Sequence, residues 1–234
     1  MEEEKKKSVK LVGYWPSPFA HRVKWALRLK GIHYEYIEED IFDKTPLLDH
    51  INPLYGKVPV LIHGNKPLPE STIIIEYIDH IWSHNPLFPN DPLERAQLQV
   101  WAKFIDQKIL WASWLAYCTE GVKQKNIIEK KAKEIIVAME KLEKKIEGKR
   151  FFGEDTIGYL DLIVGFVAYL LPVIWEDLGS TKLILDPVKF PAIFAWTNNF
   201  MNHEVICAEP LPSRAEMLNL IRRRRESLRG IYTF

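Results

Sequence analysis

Three short segments of this chain hold residues of the right type, in the right setting, to do chemistry. The first is Pro16-Ser17-Pro18-Phe19, which follows a short apolar run and precedes a stretch with helical spacing. A serine at a strand-to-helix junction stands where backbone N–H groups and the positive helix end converge. Its hydroxyl can cap the helix or donate to an anion. The second, Pro69-Glu70-Ser71, sits at another such junction. Ser71 can cap its helix, or that N-terminus can take a carboxylate while Glu70 offers an acceptor to an ammonium. Two junctions of this kind in one small region suggest a zwitterionic ligand. The third is Val58-Pro59 at the start of a strand. A cis bond there would turn the preceding backbone outward for a ligand to pair with, whereas a trans proline on an edge strand is the ordinary form.

Other candidates carry less. His80 and His84 stand four apart near a helix end, a spacing that could bind a metal, but no third ligand matches and helix C-termini favour histidine anyway. No metal site is expected. The run Arg222 to Arg225 reads as a solvated helix end rather than a nuclear signal or an anion patch. The sequence contains no GxGxxG, P-loop, HExxH, GxSxG or CxxC motif.

The elements that must position these residues form two groups. Residues 10–14 read as a strand, 19–30 as a helix stopped by Gly31, and 34–38 as an alternating second strand. An irregular stretch with some helical character covers 45–50. Residues 58–63 and 66–68 make a hairpin through Gly64-Asn65, and Ser71 opens a helix to Trp82. The order β-α-β-α-β-β-α is that of a compact α/β layer domain, placed at 8–84. The sequence NPLFPNDP that follows has three prolines in eight residues and marks a stiff linker, 85–93. Residues 94–234 read as all helical. A long helix over 93–117 is rich in tryptophan, and 126–147 is amphipathic, with Ile128, Ala132, Ile135, Met139, Leu142 and Ile146 on one face. A helix buried on nearly all sides spans 158–176, and further helices cover 190–202 and 209–228.

Composition agrees with this division. A chain of 234 residues suits two domains, and 47% hydrophobic with 27% charged residues describes a soluble globular protein. A formal net charge of +1 disfavours general nucleic-acid binding. Two cysteines, Cys118 and Cys207, are too few for a disulfide framework and point to a reducing compartment. The apolar run LIVGFVAYLLPVIW is short for a bilayer and contains Pro172, so it reads as a core helix and no membrane association is expected. Residues 1–7 are a charge block unlike a signal peptide, Glu2 excludes myristoylation, and 231–234 form neither a prenylation box nor a retention signal. A cytoplasmic protein is expected. Eight tryptophans and 12% aromatic residues leave open whether the rings fill a core or line a pocket.

The ordered series YWPSPFAHRVKWAL, KVPVL, PES, helix, proline linker and helical domain resembles a soluble glutathione transferase. SPF, YEYIEED, KTPLL, KVPVLIH and FFGEDTIGYLDL resemble the plant tau class in particular, over about residues 9–227. The resemblance implies a thioredoxin-like α/β N-terminal domain that binds glutathione and an all-α C-terminal domain that carries a hydrophobic substrate site. It implies that Ser17 donates a hydrogen bond to the glutathione sulfur and that Lys44 and Lys57 face the glycyl carboxylate. Val58, presented by a cis Pro59, pairs with the cysteinyl unit, and Glu70 and Ser71 hold the γ-glutamyl ammonium and carboxylate. A serine rather than a cysteine at position 17 favours conjugation and hydroperoxide reduction over thiol reduction.

The acceptor site is then expected where Phe19 meets the first long helix of the second domain, with Trp111, Trp114, Leu115, Cys118 and Trp175 as candidates and some of them in the core. Glutathione is a co-substrate, no other cofactor is implied, and a homodimer follows from the resemblance. A non-catalytic carrier of apolar metabolites, or a regulatory subunit, would use the same fold. Two departures from the family pattern stand out. Gly158 replaces a capping Ser or Thr three residues before Asp161, and Tyr55-Gly56-Lys57 replaces a more basic segment.

Overall fold

The computed structural model describes residues 7–120, 124–180 and 184–228. The charge block up to residue 6 and the C-terminal 231–234 lie outside them. The chain divides into two compact units, Met1–Phe88 with Glu204–Glu209, and Pro89–His203 with Pro210–Phe234.

The first unit is built on β1 (Val9–Gly13), α1 (Pro18–Leu29), β2 (Glu35–Glu38), α2 (Pro46–Ile51), β3 (Val60–His63), β4 (Lys66–Pro69) and α3 (Ser71–Ile81). The strands lie in the order β2-β1-β3-β4, with β2 parallel to β1 and β3 antiparallel to both β1 and β4. Helices α1 and α3 pack together and bury Val23, Trp25, Ala26, Ile74, Ile75 and Ile78. The apolar 3.6-residue spacing in both helices is what allows one face to be buried in this way. Gly13 permits the close approach of α1 to β1, since a Cβ there would lie 3.0 Å from the Tyr36 ring and 3.3 Å from Ala20 Cβ.

Glu209, expected at the start of the last helix, instead belongs to this first unit. Its buried carboxylate accepts from Lys24 Nζ at 3.1 Å and from Arg28 Nε at 2.6 Å. Pro210 and Pro212 cannot continue a helix and disfavour helical geometry just before them, so the helix starts only at Arg214. There Ser213 and Glu216 form a capping box.

The second unit contains α4 (Pro92–Ile105), α5 (Trp111–Cys118), α6 (Gln124–Ile146), α7 (Tyr159–Val164), α8 (Phe166–Asp177), α9 (Pro191–Met201) and, after the short α10 (Glu204–Cys207) of the first unit, α11 (Arg214–Ser227). The single long helix expected over 93–117 is divided by a π-helical turn, Asp106–Leu110. Such a turn advances the helical phase, so face assignments by 3.6-residue spacing do not carry across it. The buried segment is likewise two helices, which meet at Gly165. Tyr159–Asp177 has the length and mean hydropathy, 1.6, of a membrane span, but 78% of it is buried inside the protein. It is the core helix pair of this unit.

Asp161, fully buried, anchors the start of α7. Its carboxylate reaches back to the Gly158 N–H at 2.8 Å, as expected of the half capping box that a glycine N-cap leaves. It also takes N–H groups from Phe152 at 2.9 Å, Gly153 at 3.0 Å and the Trp196 indole at 2.7 Å. Burial pushes the Asp161 carboxyl up to about 6, while these four donors oppose the rise.

Candidate active site

The sheet registers explain how distant segments come together. Val12 of β1 pairs with Val60 of β3, and Val60 pairs with Pro69 of β4. Because β3 is antiparallel to both neighbours, β1 and β4 run the same way and deliver the chain to the N-termini of α1 and α3 at one end of the sheet. β3 starts at that end, directly after Val58-Pro59. β2 also finishes there, with Glu38 level with Gly13, and leads into the loop that carries Lys44. Ser17, Lys44, Val58, Glu70 and Ser71 are therefore brought to one end of a four-stranded sheet.

Ser17 is the N-cap of α1, with Pro18 at the first helical position and no acidic side chain in the first turn. Its Oγ accepts from Ala20 N at 3.4 Å, longer than a good N–H···O bond. Among the described residues no acceptor takes its O–H. The residue is 9% exposed, so Ser17 is nearly buried and its hydroxyl is still able to donate at an unneutralised helix N-terminus.

The second junction has the same character. Ser71 is buried in the first turn of α3, which has no acidic residue and no side-chain cap. Glu70 is exposed and held at φ 72°, in the left-handed region that a glutamate rarely adopts. Non-glycine residues held there concentrate at ligand-binding positions. The Val58-Pro59 bond is cis.

Lys44 donates from Nζ to the Gly56 carbonyl at 2.8 Å, which places its ammonium beside the exposed Lys57. Two supports of this arrangement escape a reading of motifs. The buried Glu39 carboxylate accepts from Thr45 N at 2.6 Å and Thr45 Oγ1 at 2.7 Å, fixing the loop behind Lys44. Asn52 Nδ2 donates to the Lys57 carbonyl at 2.8 Å. A lone buried acid and a lone asparagine have no motif to announce them.

Family models for the glutathione S-transferase N-terminal and C-terminal domains match residues 7–80 and 105–204. The chain belongs to the glutathione S-transferase family. Its relatives include the maize (Zea mays) glutathione transferase GST 23, 43% identical over 95% of this chain and 97% of that protein. Another is Arabidopsis thaliana glutathione S-transferase U1, 42% identical over 93% of this chain and 96% of that one. The tau-class enzyme of mango (Mangifera indica) superposes with a TM-score of 0.82 at 32% identity, covering 92% of this chain and 98% of its own. Rice GST1, solved in complex with glutathione, gives a TM-score of 0.81 at 25% identity, covering 95% and 98%. The transferase fold expected from the resemblance is thus present, and the matched relatives include plant tau-class transferases.

The acceptor-site candidates of this transferase separate by accessibility. In the α/β unit Phe19 is exposed, with the Arg22 guanidinium carbon 5.1 Å over its ring. On α5, immediately after the π turn, Trp111 is 52% exposed, and Trp114 and Leu115 are half-buried. Ala112, Ser113, Ala116 and Tyr117 face inward. Trp175 was a candidate on position alone and belongs to the core. It is 0% exposed and donates its indole N–H to Ser113 Oγ at 3.0 Å. Cys118 is also buried, and burial pushes its thiol up to about 11, so it offers neither surface nor thiolate.

Of the secondary candidates, the His84 ring is hydrogen-bonded through Nε2 to the Lys30 carbonyl at 2.6 Å. Arg222 is not simply solvated, since it binds Asp177.

Proposed function

We propose that this protein conjugates the thiolate of glutathione to apolar electrophiles. The tripeptide lies along the end of the sheet where the strands deliver Ser17, Lys44, Val58, Glu70 and Ser71. Glu70 and Ser71 hold the γ-glutamyl ammonium and carboxylate at the N-terminus of α3. The Val58 backbone, ahead of cis Pro59, pairs with the cysteinyl unit, and Lys44 and Lys57 attract the glycyl carboxylate. Ser17 donates its O–H to the sulfur. The rice relative solved in complex with glutathione supports glutathione as the ligand.

The energetics suit a donor that never forms a covalent bond. A free thiol with a pKa of about 8.5 is only a few per cent ionised at neutral pH. Lowering that value by about two units requires about 2.7 kcal/mol of preferential thiolate stabilisation. One hydrogen bond to a charged group supplies roughly 1.5–3 kcal/mol, and an acid-free helix N-terminus adds to it. The thiolate then attacks the electrophilic carbon of the acceptor, and the acceptor's leaving group departs with the bonding pair. Hydroperoxide reduction uses the same thiolate.

In the helical unit Trp111, Trp114 and Leu115 are the accessible apolar side chains assigned to the acceptor, and in the α/β unit Phe19 is the exposed candidate. Cys118 and Trp175 are left out because they have almost no surface. The reading rests above all on Ser17, nearly buried at a positive helix end, whose hydroxyl has no acceptor among the described residues. Its test is the pH–rate profile of Ser17→Ala, which should shift to higher pH at unchanged glutathione affinity. An unshifted profile would overturn it. The carrier reading has no observation of comparable weight, since relatives at 43% and 42% identity are named transferases. A homodimer in the cytoplasm completes the proposal, and the sedimentation of the purified chain tests the dimer.

A further inference from the structure

Helix α5 is eight residues long, continues directly from the π turn, and is fastened to α8 by two side-chain hydrogen bonds. One is the Trp175 indole on Ser113. The other lies at the C-terminal end, where the buried Tyr117 donates its hydroxyl to Asp177 Oδ2 at 2.7 Å.

Asp177 is the last residue of α8, and its side chain is only 11% exposed. The same carboxylate accepts from Arg222 of α11, through Nε at 3.1 Å to Oδ1 and also through Nη2. Arg225, one turn further on, sets its guanidinium carbon 5.2 Å over the Tyr117 ring and its Nε 3.9 Å from Glu120. One carboxylate thus joins the C-terminal ends of α5 and α8 to the middle of α11. Hydrogen bonding to Arg222 holds it below the usual carboxylate range, and burial, with the bond to Asp177, raises the Tyr117 phenol. At neutral pH the acid is the acceptor and the phenol the donor.

The clasp reaches the acceptor face in one step. The Tyr117 ring lies 5.8 Å from the Trp114 ring, centroid to centroid. We propose that Asp177 is a positioning residue of the acceptor site, which holds Tyr117 and Arg222 together and thereby sets the place of Trp114. The inference rests on the reading of α5 as the acceptor face. It predicts an effect on one substrate only, because Asp177, Tyr117 and Arg222 are all in the helical unit and the glutathione positions are all in the α/β unit.

The test is steady-state kinetics of the full chain with glutathione and a chlorodinitrobenzene, varying each in turn. Asp177→Asn keeps the shape and weakens the acceptor. The expected result is an acceptor KM raised roughly fivefold or more, with the glutathione KM changed by less than about twofold. Tyr117→Phe removes a single O–H, should show the same split to a smaller degree, and serves if the Asp177 variant does not fold. Arg222→Lys should restore part of what Arg222→Ala loses. If both KM values rise together, or neither moves, the inference is overturned. Trp114→Ala separates the two levels. If it leaves the acceptor KM unchanged, the reading of α5 falls and this inference with it. If it raises that KM while the clasp variants do not, only the inference falls.

Discussion

The amide nitrogen of Ala20 approaches Ser17 Oγ no closer than 3.4 Å, so the serine caps its helix weakly, and among the described residues no acceptor takes its hydroxyl hydrogen. Ser17→Ala should therefore cost little stability, within about 1 kcal/mol, near the low end for loss of a cap. Turnover at pH 6.5 should fall by about tenfold or more, and the deficit should shrink as pH rises and the thiol ionises unaided. Measuring kcat/KM between pH 6 and pH 9 checks this, and a deficit constant across that range would count against the role.

Glu70 combines a positive φ with an exposed carboxylate, which opposes stability to binding. Replacement by glycine removes the conformational penalty, on the order of 1 kcal/mol, at the price of a more flexible unfolded chain. Glu70→Gly should leave the melting temperature within a few degrees of the parent while raising the glutathione KM by about tenfold. Calorimetry and kinetics on one preparation decide the matter. A large fall in melting temperature would mean that Glu70 is held there for the fold.

Asp161 takes four donors, the N–H groups of Phe152, Gly153 and Gly158 and the Trp196 indole. Asp161→Ala leaves three of them, all but the exposed Gly153 N–H, buried without an acceptor, and destabilisation by about 3–5 kcal/mol is expected in urea. The pH dependence has a definite sign. The carboxyl titrates at about 6 when folded against an ordinary 3.8, so between those values the folded protein binds more protons. The contribution of this group to stability therefore rises as pH falls through 6 and is complete near 4. Asp161→Asn does not titrate. The stability difference between parent and Asp161→Asn should widen from pH 7 to pH 4, by up to about 3 kcal/mol. A difference that narrows toward acid would contradict the assignment.

Glu209 closes a buried pair with Lys24, whose ammonium also lies 4.0 Å over the Tyr36 ring. Glu209→Ala strands that ammonium in the interior, and a loss of about 3–5 kcal/mol is expected. Lys24→Met in the same background should recover much of it, because no unpaired buried charge remains. Urea unfolding of the single and double variants checks both statements, and failure of the second change to restore stability would place the loss elsewhere.

The local chemistry of this protein is legible in its sequence. Ser17 between two prolines, Glu70-Ser71 ahead of an isoleucine run, and the proline-rich linker are signals within a few residues, because caps, turns and hydrophobic periodicity depend only on near neighbours. The order of strands and helices follows from the same patterns, and so does the half capping box of Asp161 with Gly158. Tertiary structure alone decided the choices made over long distances. Trp175 and Trp111 are the same residue type in equally apolar surroundings, yet one meets Ser113, 62 positions away, in the core, and the other is turned outward after a π turn that no periodicity announces. Glu209 leaves its helix to join Lys24, 185 positions earlier, and Arg222 leaves its solvated run for Asp177. Burial and the choice of a charge's partner are properties of the packed chain, set by which surfaces can close together without stranding a polar group.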